Sequence, residues 1–203
     1  IEVTGRAAHS GRPADGRSAI DAAARIVGLI SDDQARLAAD PDDLLGFGTW
    51  NVGTIEGGQG ISVVAPMCSL GVDRRLMPGE SAEVIAETIR RRISAAGIDS
   101  DGIGVTVRVT MEMPGFVTDE AHPLVDAARS ALSDRGLAPS VGGWTAACDG
   151  GFVSRDLGIP AIVLGPGNIN TQAHQPDESV AVDDLLTAAR IYALMAMRLL
   201  GSG

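Results

Sequence analysis

The sequence predicts an α+β protein: a split βαβ sandwich, with two helices on one face of an antiparallel sheet, followed by a piece with α/β grammar. Three observations carry this. Ile20, Ala23, Ala24, Val27 and Ile30 recur at steps of three and four, the period of one helix face. Ile103, Val105, Val107, Val109, Met111 and Met113 alternate with Gly, Thr, Arg, Thr and Glu, the strict period of two of a half-buried strand. Further on, Ile159 to Leu164 is a continuous apolar run before a glycine-rich loop, which suits a strand covered on both faces.

The elements follow in order. Ile1 to His9 reads as a short strand ending at Ser10-Gly11-Arg12-Pro13-Ala14-Asp15-Gly16, a density of Gly, Pro and Asp that marks a loop. The helix from Ser18 to about Leu37 is stopped by Asp40-Pro41-Asp42-Asp43. Strands at Phe47–Ile55 and Ser62–Leu76 flank Gly57-Gly58-Gln59-Gly60 and are expected to pair as a hairpin. A second helix begins near Glu80, with Val84, Ile85, Ile89 and Ile93 as its apolar stripe. Arg90, Arg91 and Arg92 lie in its last turn and Gly97 beyond its end. The alternating strand Ile103–Met113 closes the sandwich, and Met113-Pro114-Gly115 breaks the chain. Helices are then expected over Pro123–Asp134, Gly151–Asp156 and Val182–Leu200, with a short strand near Ser140-Val141, the strand Ile159–Leu164 and a loop from Gly165 to Asn170. Two strands are too few for a covered sheet, so the second piece reads as the end of a domain whose beginning lies elsewhere.

Composition narrows the function. The 203 residues carry 16 Lys+Arg against 26 Asp+Glu, a formal charge of −10, which argues against a protein that neutralises phosphates along nucleic acid. Aromatics at 3% leave no stacking platform for bases, and no apolar run approaches the ~20 residues of a membrane span. Cys68 and Cys148 have no Cys-x-x-Cys companion, which suits a reducing cytoplasm rather than a disulfide scaffold or a zinc ribbon. The chain opens inside a strand, without an initiator Met or a basic leader, so a fragment of a longer protein is expected.

Several residues can carry chemistry, each with a plain alternative. His174, in Gln172-Ala173-His174-Gln175-Pro176-Asp177-Glu178, lies in a loop beyond a strand's carboxyl end, where open α/β folds place ligands. It is either a metal ligand or a surface histidine. His9 can donate a hydrogen bond to a substrate carbonyl at a loop mouth, or merely cap a turn. Asp73 and Arg75 share one face of their strand while Arg74 points the other way. Arg75 can clamp a carboxylate with its planar fork, or form a solvated ion pair of little energetic weight. Asp149, before Gly150-Gly151, caps the following helix or orients a site residue. His122, beside Pro123, reads as structural.

The ordered set Gly5-x-x-x-His9-Ser10-Gly11-x-Pro13-x-x-Gly16-x-x-Ala19-Ile20, Asp73-x-Arg75-x-x-Pro78-Gly79-Glu80, Gly165-Pro166-Gly167 and Ala173-His174-Gln175-Pro176-Asp177-Glu178 resembles the zinc-dependent amidohydrolase/exopeptidase family of acetylornithine deacetylase, succinyl-diaminopimelate desuccinylase, carboxypeptidase G and aminoacylase. The resemblance runs from residue 1 to about 200 and covers only the later part of that family's chain. It implies a ferredoxin-like βαββαβ lid, commonly dimerising, over residues 1–114, and the C-terminal part of the catalytic α/β domain over 115–203. It also implies two Zn2+ ions bridged by an aspartate and a water, a glutamate base, and attack on the amide of an N-acyl amino acid or dipeptide bearing a free carboxylate.

Position by position, the resemblance gives His174 the last zinc ligand and gives His9 oxyanion stabilisation, reaching a partner subunit's site in dimeric members. It assigns Arg75 to the substrate carboxylate, and Gly165 and Gly167 to close backbone approach. Asp73 and Asp149 take supporting roles. Where the family often has a substrate-contacting Asn before Val-x-Pro, this chain has Ser62. The family's His-x-Asp pair, bridging Asp and Glu-Glu base are not in these residues, so the chain alone is expected to be inactive. The competing reading is a non-catalytic dimerisation or binding module derived from the family.

Overall fold

The computed structural model describes residues 1–201. They form two compact units: residues 1–115 with 143–147, and residues 116–142 with 148–201.

In the first unit the elements run β1 (Glu2–Thr4), α1 (Ala19–Ala38), β2 (Trp50–Gly57), β3 (Met67–Arg74), α2 (Ala82–Ala95) and β4 (Gly104–Thr106). The sheet order is β2-β3-β1-β4 with every pairing antiparallel, the expected βαββαβ arrangement. α1 starts where the Ser18 side chain accepts the Asp21 N–H at 3.1 Å. Its buried side is Ala19, Ala22, Ala23, Ile26, Ile30 and Asp33, while Ile20 is 40% exposed. The core-facing stripe is therefore turned by about one residue from the expected one, because this Ala-rich helix is apolar on more than one side. α2 buries Ala86, Ile89 and Ile93 and leaves Val84 outside. Its end is a Schellman turn: Ile98 N–H reaches Ile93 O at 3.1 Å and Gly97 N–H reaches Ser94 O at 2.9 Å. Gly97 sits at φ +60, and buried Ile98 packs in the same cluster as Ile93.

Val3, Ile26 and Ile93 are the largest fully buried side chains, one each from sheet, α1 and α2. Asp33 is the buried charge at this layer's edge. Its carboxylate accepts from Trp50 Nε1 at 2.8 Å, Arg36 at 2.9 Å and Arg92 at 2.5 Å, joining α1, β2 and α2. Burial works against that charge, yet the Trp50 hydrogen bond and the two guanidinium groups hold its pKa below the ordinary value.

Three strands are much shorter than expected, the first being β1, which covers only Glu2–Thr4 of the expected Ile1–His9. β3 begins at Met67 rather than Ser62, because Pro66 has no N–H to give the ladder. β4 is only Gly104–Thr106; its partner β1 spans Glu2–Thr4, so Val109 and Met111 have no ladder partner and stand exposed.

The second unit holds α3 (Pro123–Asp134), α4 (Gly150–Leu157), α5 (Ile169–Gln172) and α6 (Val182–Leu200). α3 packs on α6 through Ala127, Ala128, Ala131, Ile191 and Met195, with Ile162 and Leu164 against them. His122 caps α3, its Nδ1 accepting the Leu124 N–H at 3.1 Å, which is the structural role expected of it. Ser140-Val141 and Ile159–Leu164 are not strands. The second segment packs Ile162 and Leu164 against the α3–α6 core and has no ladder partner among the described residues. No helix among the described residues is long and apolar enough to cross a membrane.

Candidate functional site

Backbone pairing brings His9 opposite Val63 and Ser10 opposite Ser62. Past β1 the chain turns at Gly5, where a Cβ would run into the carbonyl of Arg17, and Arg6 and Arg17 form an antiparallel bridge. His9 then pairs with Val63, flanked by Ser10 N–H to Ser62 O and Val64 N–H to Ala8 O, both 2.9 Å. The His9 ring is exposed and oriented from behind: Gly11 N–H donates to Nδ1 at 3.0 Å. This hydrogen bond assigns the neutral tautomer, with Nδ1 as acceptor and the proton on Nε2. His9 thus presents an N–H donor outward. The Ser62 hydroxyl is exposed and makes no hydrogen bond among the described residues.

Asp73 and Arg75 share a face as expected. Arg75 Nε lies 3.1 Å from Asp73 Oδ1, both side chains about half exposed. The Arg75 backbone N–H donates to Thr49 O at 2.9 Å. The ion pair is worth little as stability, but it occupies Nε and leaves both terminal nitrogens without a partner among the described residues, the fork edge that grips a carboxylate. Arg74 turns inward, 5.5 Å over the Trp50 ring and 2.7 Å from Glu80.

His9 and Arg75 stand at opposite ends of β3. His9 pairs beyond its first residue, and Arg75 follows its last. The seven steps of ~3.3 Å from Met67 to Arg74 put about 23 Å of strand between the two positions.

In the second unit, Gly165 and Gly167 lead into α5, and His174 follows it. Gly167 is at φ +77, close beneath Val180. His174 is one of two non-glycine residues at positive φ (+63) among the described residues, a state uncommon for a residue with a Cβ. Its N–H donates to Glu178 Oε2 at 3.0 Å, and the side chain is exposed. Tyr192 OH donates to Leu164 O at 2.8 Å just before this loop. Asp149 occupies the N-cap position of α4, but its side chain makes no capping hydrogen bond. The capping reading fails because Asp149 is already helical (φ −61, ψ −16), whereas a side-chain cap needs extended backbone.

No three His, Cys, Asp or Glu side chains among the described residues come together to hold a metal ion. One imidazole does not fit a catalytic zinc, which takes about three protein ligands. The described residues therefore do not by themselves make a complete metal centre.

The sequence reading passed over Arg17 and Asp101. Arg17 Nε and NH2 approach Asp101 Oδ2 and Oδ1 at 2.8 and 2.9 Å. The hydrogen bond and charge of Arg17 hold the Asp101 carboxyl below its ordinary pKa. The visible signal was Asp101-Gly102, a turn pair with positive φ at both positions.

Residues 1–101 match the family described as Peptidase dimerisation domain, of M20 type. Among curated proteins, the acetylornithine deacetylase of Edwardsiella ictaluri is 30% identical over 186 residues, covering 90% of this chain and 46% of that protein. Among solved structures, a tripeptidase from Staphylococcus aureus aligns with TM-score 0.75 at 23% identity, over 100% of this chain and 50% of its own. A dinuclear metal-binding peptidase of the M20 family from Bacillus subtilis aligns with TM-score 0.67 at 15% identity, over 100% and 49%. The chain spans about half the length of the curated relatives it matches. Residues 1–101 match the M20-type Peptidase dimerisation domain, and the chain is similar to acetylornithine deacetylases over nearly its whole length.

Proposed function

We propose that this chain is the lid (residues 1–114) and the C-terminal part (residues 115–203) of a metal-dependent amidohydrolase acting as a homodimer. The reaction is cleavage of an amide in an N-acyl amino acid or dipeptide with a free carboxylate, of deacetylase, desuccinylase or carboxypeptidase type. The observation that supports it best is the pair of pre-oriented, unsatisfied groups on the lid, the His9 Nε2–H and the Arg75 fork.

Arg75 binds the substrate carboxylate, with Asp73 holding Nε so that the terminal nitrogens face outward. His9 donates Nε2–H to the carbonyl oxygen as it gains charge, and Ser62 beside it lines the same approach. A dipeptide spans about 7 Å, far less than the separation of His9 from Arg75 along β3. One substrate therefore meets Arg75 of one subunit and His9 of the other. Gly165 and Gly167 let backbone approach the substrate, and Asp149 supports the site. His174 contributes one imidazole to the Zn2+ set, whose other ligands and general base lie in polypeptide beyond this chain. Cys68 and Cys148, both free, are in keeping with a cytoplasmic enzyme.

The test is hydrolysis by the enzyme that carries this chain at the length of its relatives, offered acetyl, succinyl, carbamoyl and peptidyl amino acids. Cleavage of one class, lost on blocking the substrate's free carboxylate, is the expected result. A dimer that cleaves none of them would replace the enzyme reading with a non-catalytic dimerisation module.

A further inference from the structure

We propose that Arg17, anchored by Asp101, is the positioning residue for His9, holding its loop in the one conformation that aims the Nε2–H outward; this rests on the proposed role of His9.

Residues 9–15 are all exposed, so apolar packing does little to fix the loop. Beyond the His9–Val63 bridge at its start, what fixes it is a set of arginine hydrogen bonds to three consecutive carbonyls. Arg17 NH1 donates to Ala14 O at 3.0 Å and Gly16 O at 2.6 Å, and Arg6 Nε donates to Asp15 O at 2.9 Å. The rest of the Arg17 fork is spent on Asp101, 84 residues away: Nε to its carbonyl at 2.7 Å and NH2 to Oδ1 at 2.9 Å. The turn that carries Asp101 is closed by Ile103 N–H to Ser100 O at 3.0 Å, immediately before β4. The loop is thus tied to the sheet through one guanidinium.

Backbone hydrogen bonds connect that tie to His9. Asp15 N–H donates to Arg12 O at 3.1 Å, and Arg12 N–H donates to His9 O at 2.9 Å. The last link is Gly11 N–H to His9 Nδ1, which sets the tautomer. Charge-assisted donors are the stronger class of hydrogen bond. Arg17 spreads several over two segments, which lysine, with a compact ammonium, cannot reproduce at once.

The experiment uses the 203-residue chain with 15N-labelled histidine, whose three side chains are His9, His122 and His174, together with amide hydrogen exchange. In the unaltered chain His9 reads as the Nε2–H tautomer and the Gly11 amide is protected. Arg17→Ala is expected to mix the His9 tautomers and to speed Gly11 exchange by about 2- to 10-fold, the worth of one net hydrogen bond. Val3 and Ile26 amides and the His122 and His174 signals should stay as they were. Arg17→Lys should fall between, and Asp101→Asn, which keeps the turn, should shift His9 in the same direction as Arg17→Ala. Unchanged His9 and Gly11 signals in Arg17→Ala would overturn the proposal. So would equal loosening of the core amides, which would make the brace structural only. In the relative-length enzyme, Arg17→Ala should lower kcat with KM held, since His9 acts on the transition state. No activity in the unaltered enzyme would overturn the functional reading while the tautomer result still decided the brace; activity with an unaltered kcat in Arg17→Ala would overturn the brace alone.

Discussion

The separation of His9 from Arg75 makes a quantitative prediction for mixed dimers. Both groups belong to the proposed lid, yet about 23 Å of β3 lies between them, so under the proposed function a dipeptide held by Arg75 would meet the His9 of the other subunit. His9→Ala alone should lower kcat by about 10²–10³, the usual cost of one oxyanion donor. Arg75→Ala should act mainly on KM, since it removes a grip on the unreacting carboxylate. After complete exchange of equal amounts of the two variants, half the dimers are mixed. In a mixed dimer one site has lost both groups and the other has both intact. The mixture should therefore recover roughly a quarter of unaltered kcat/KM, as twofold symmetry requires. Subunit exchange is followed by differently tagged chains, and activity is read at low substrate. Full exchange with no gain over the two parents would refute the arrangement, placing both groups at one site within one subunit.

Two further predictions concern the first unit. Asp33→Asn removes the anion that joins α1, β2 and α2, while Arg36 and Arg92 keep access to water, so it should cost about 1–3 kcal/mol at neutral pH by urea unfolding. The Asp33 pKa is lowered in the folded protein. Its contribution is therefore full above the unfolded carboxyl pKa of about 3.9 and is lost as pH falls through the lower folded value; the Asn variant should lack this acid slope. Ile26→Ala, at a fully buried position between helix and sheet, should cost about 2–5 kcal/mol in the same assay, and a cost under 1 kcal/mol would mean that α1 packs otherwise.

The first unit was largely readable because its signals are local. Ser18, Gly97 and the alternation through Ile103, Val105 and Val107 each act within a few residues. Where the reading missed, the cause was tertiary. The alternation runs on through Val109 and Met111, but a strand exists only where a partner lies beside it, and β1 offers three residues. The same holds for Ile159–Leu164, apolar like a covered strand yet unpaired among the described residues. The face of α1 was misread by a residue because alanine packs equally well on adjacent sides. At the candidate site, the sharing of a face by Asp73 and Arg75 followed from the period of two. The pairing of His9 with Val63 and of Arg17 with Asp101 joins residues 54 and 84 positions apart, which no local pattern reports.

The central claim is that this chain serves a metal-dependent amide hydrolysis in which His174 holds part of the metal. The direct measurement is metal content and N-acyl amino acid hydrolysis in the relative-length enzyme and its His174→Ala variant, before and after chelation and with metal restored. The expected result is bound divalent metal and cleavage in the unaltered enzyme, both lost to chelator and regained with metal, and a variant that binds less metal and stays inactive. A chelator-resistant activity, or a His174→Ala enzyme with unaltered metal content and rate, would contradict it.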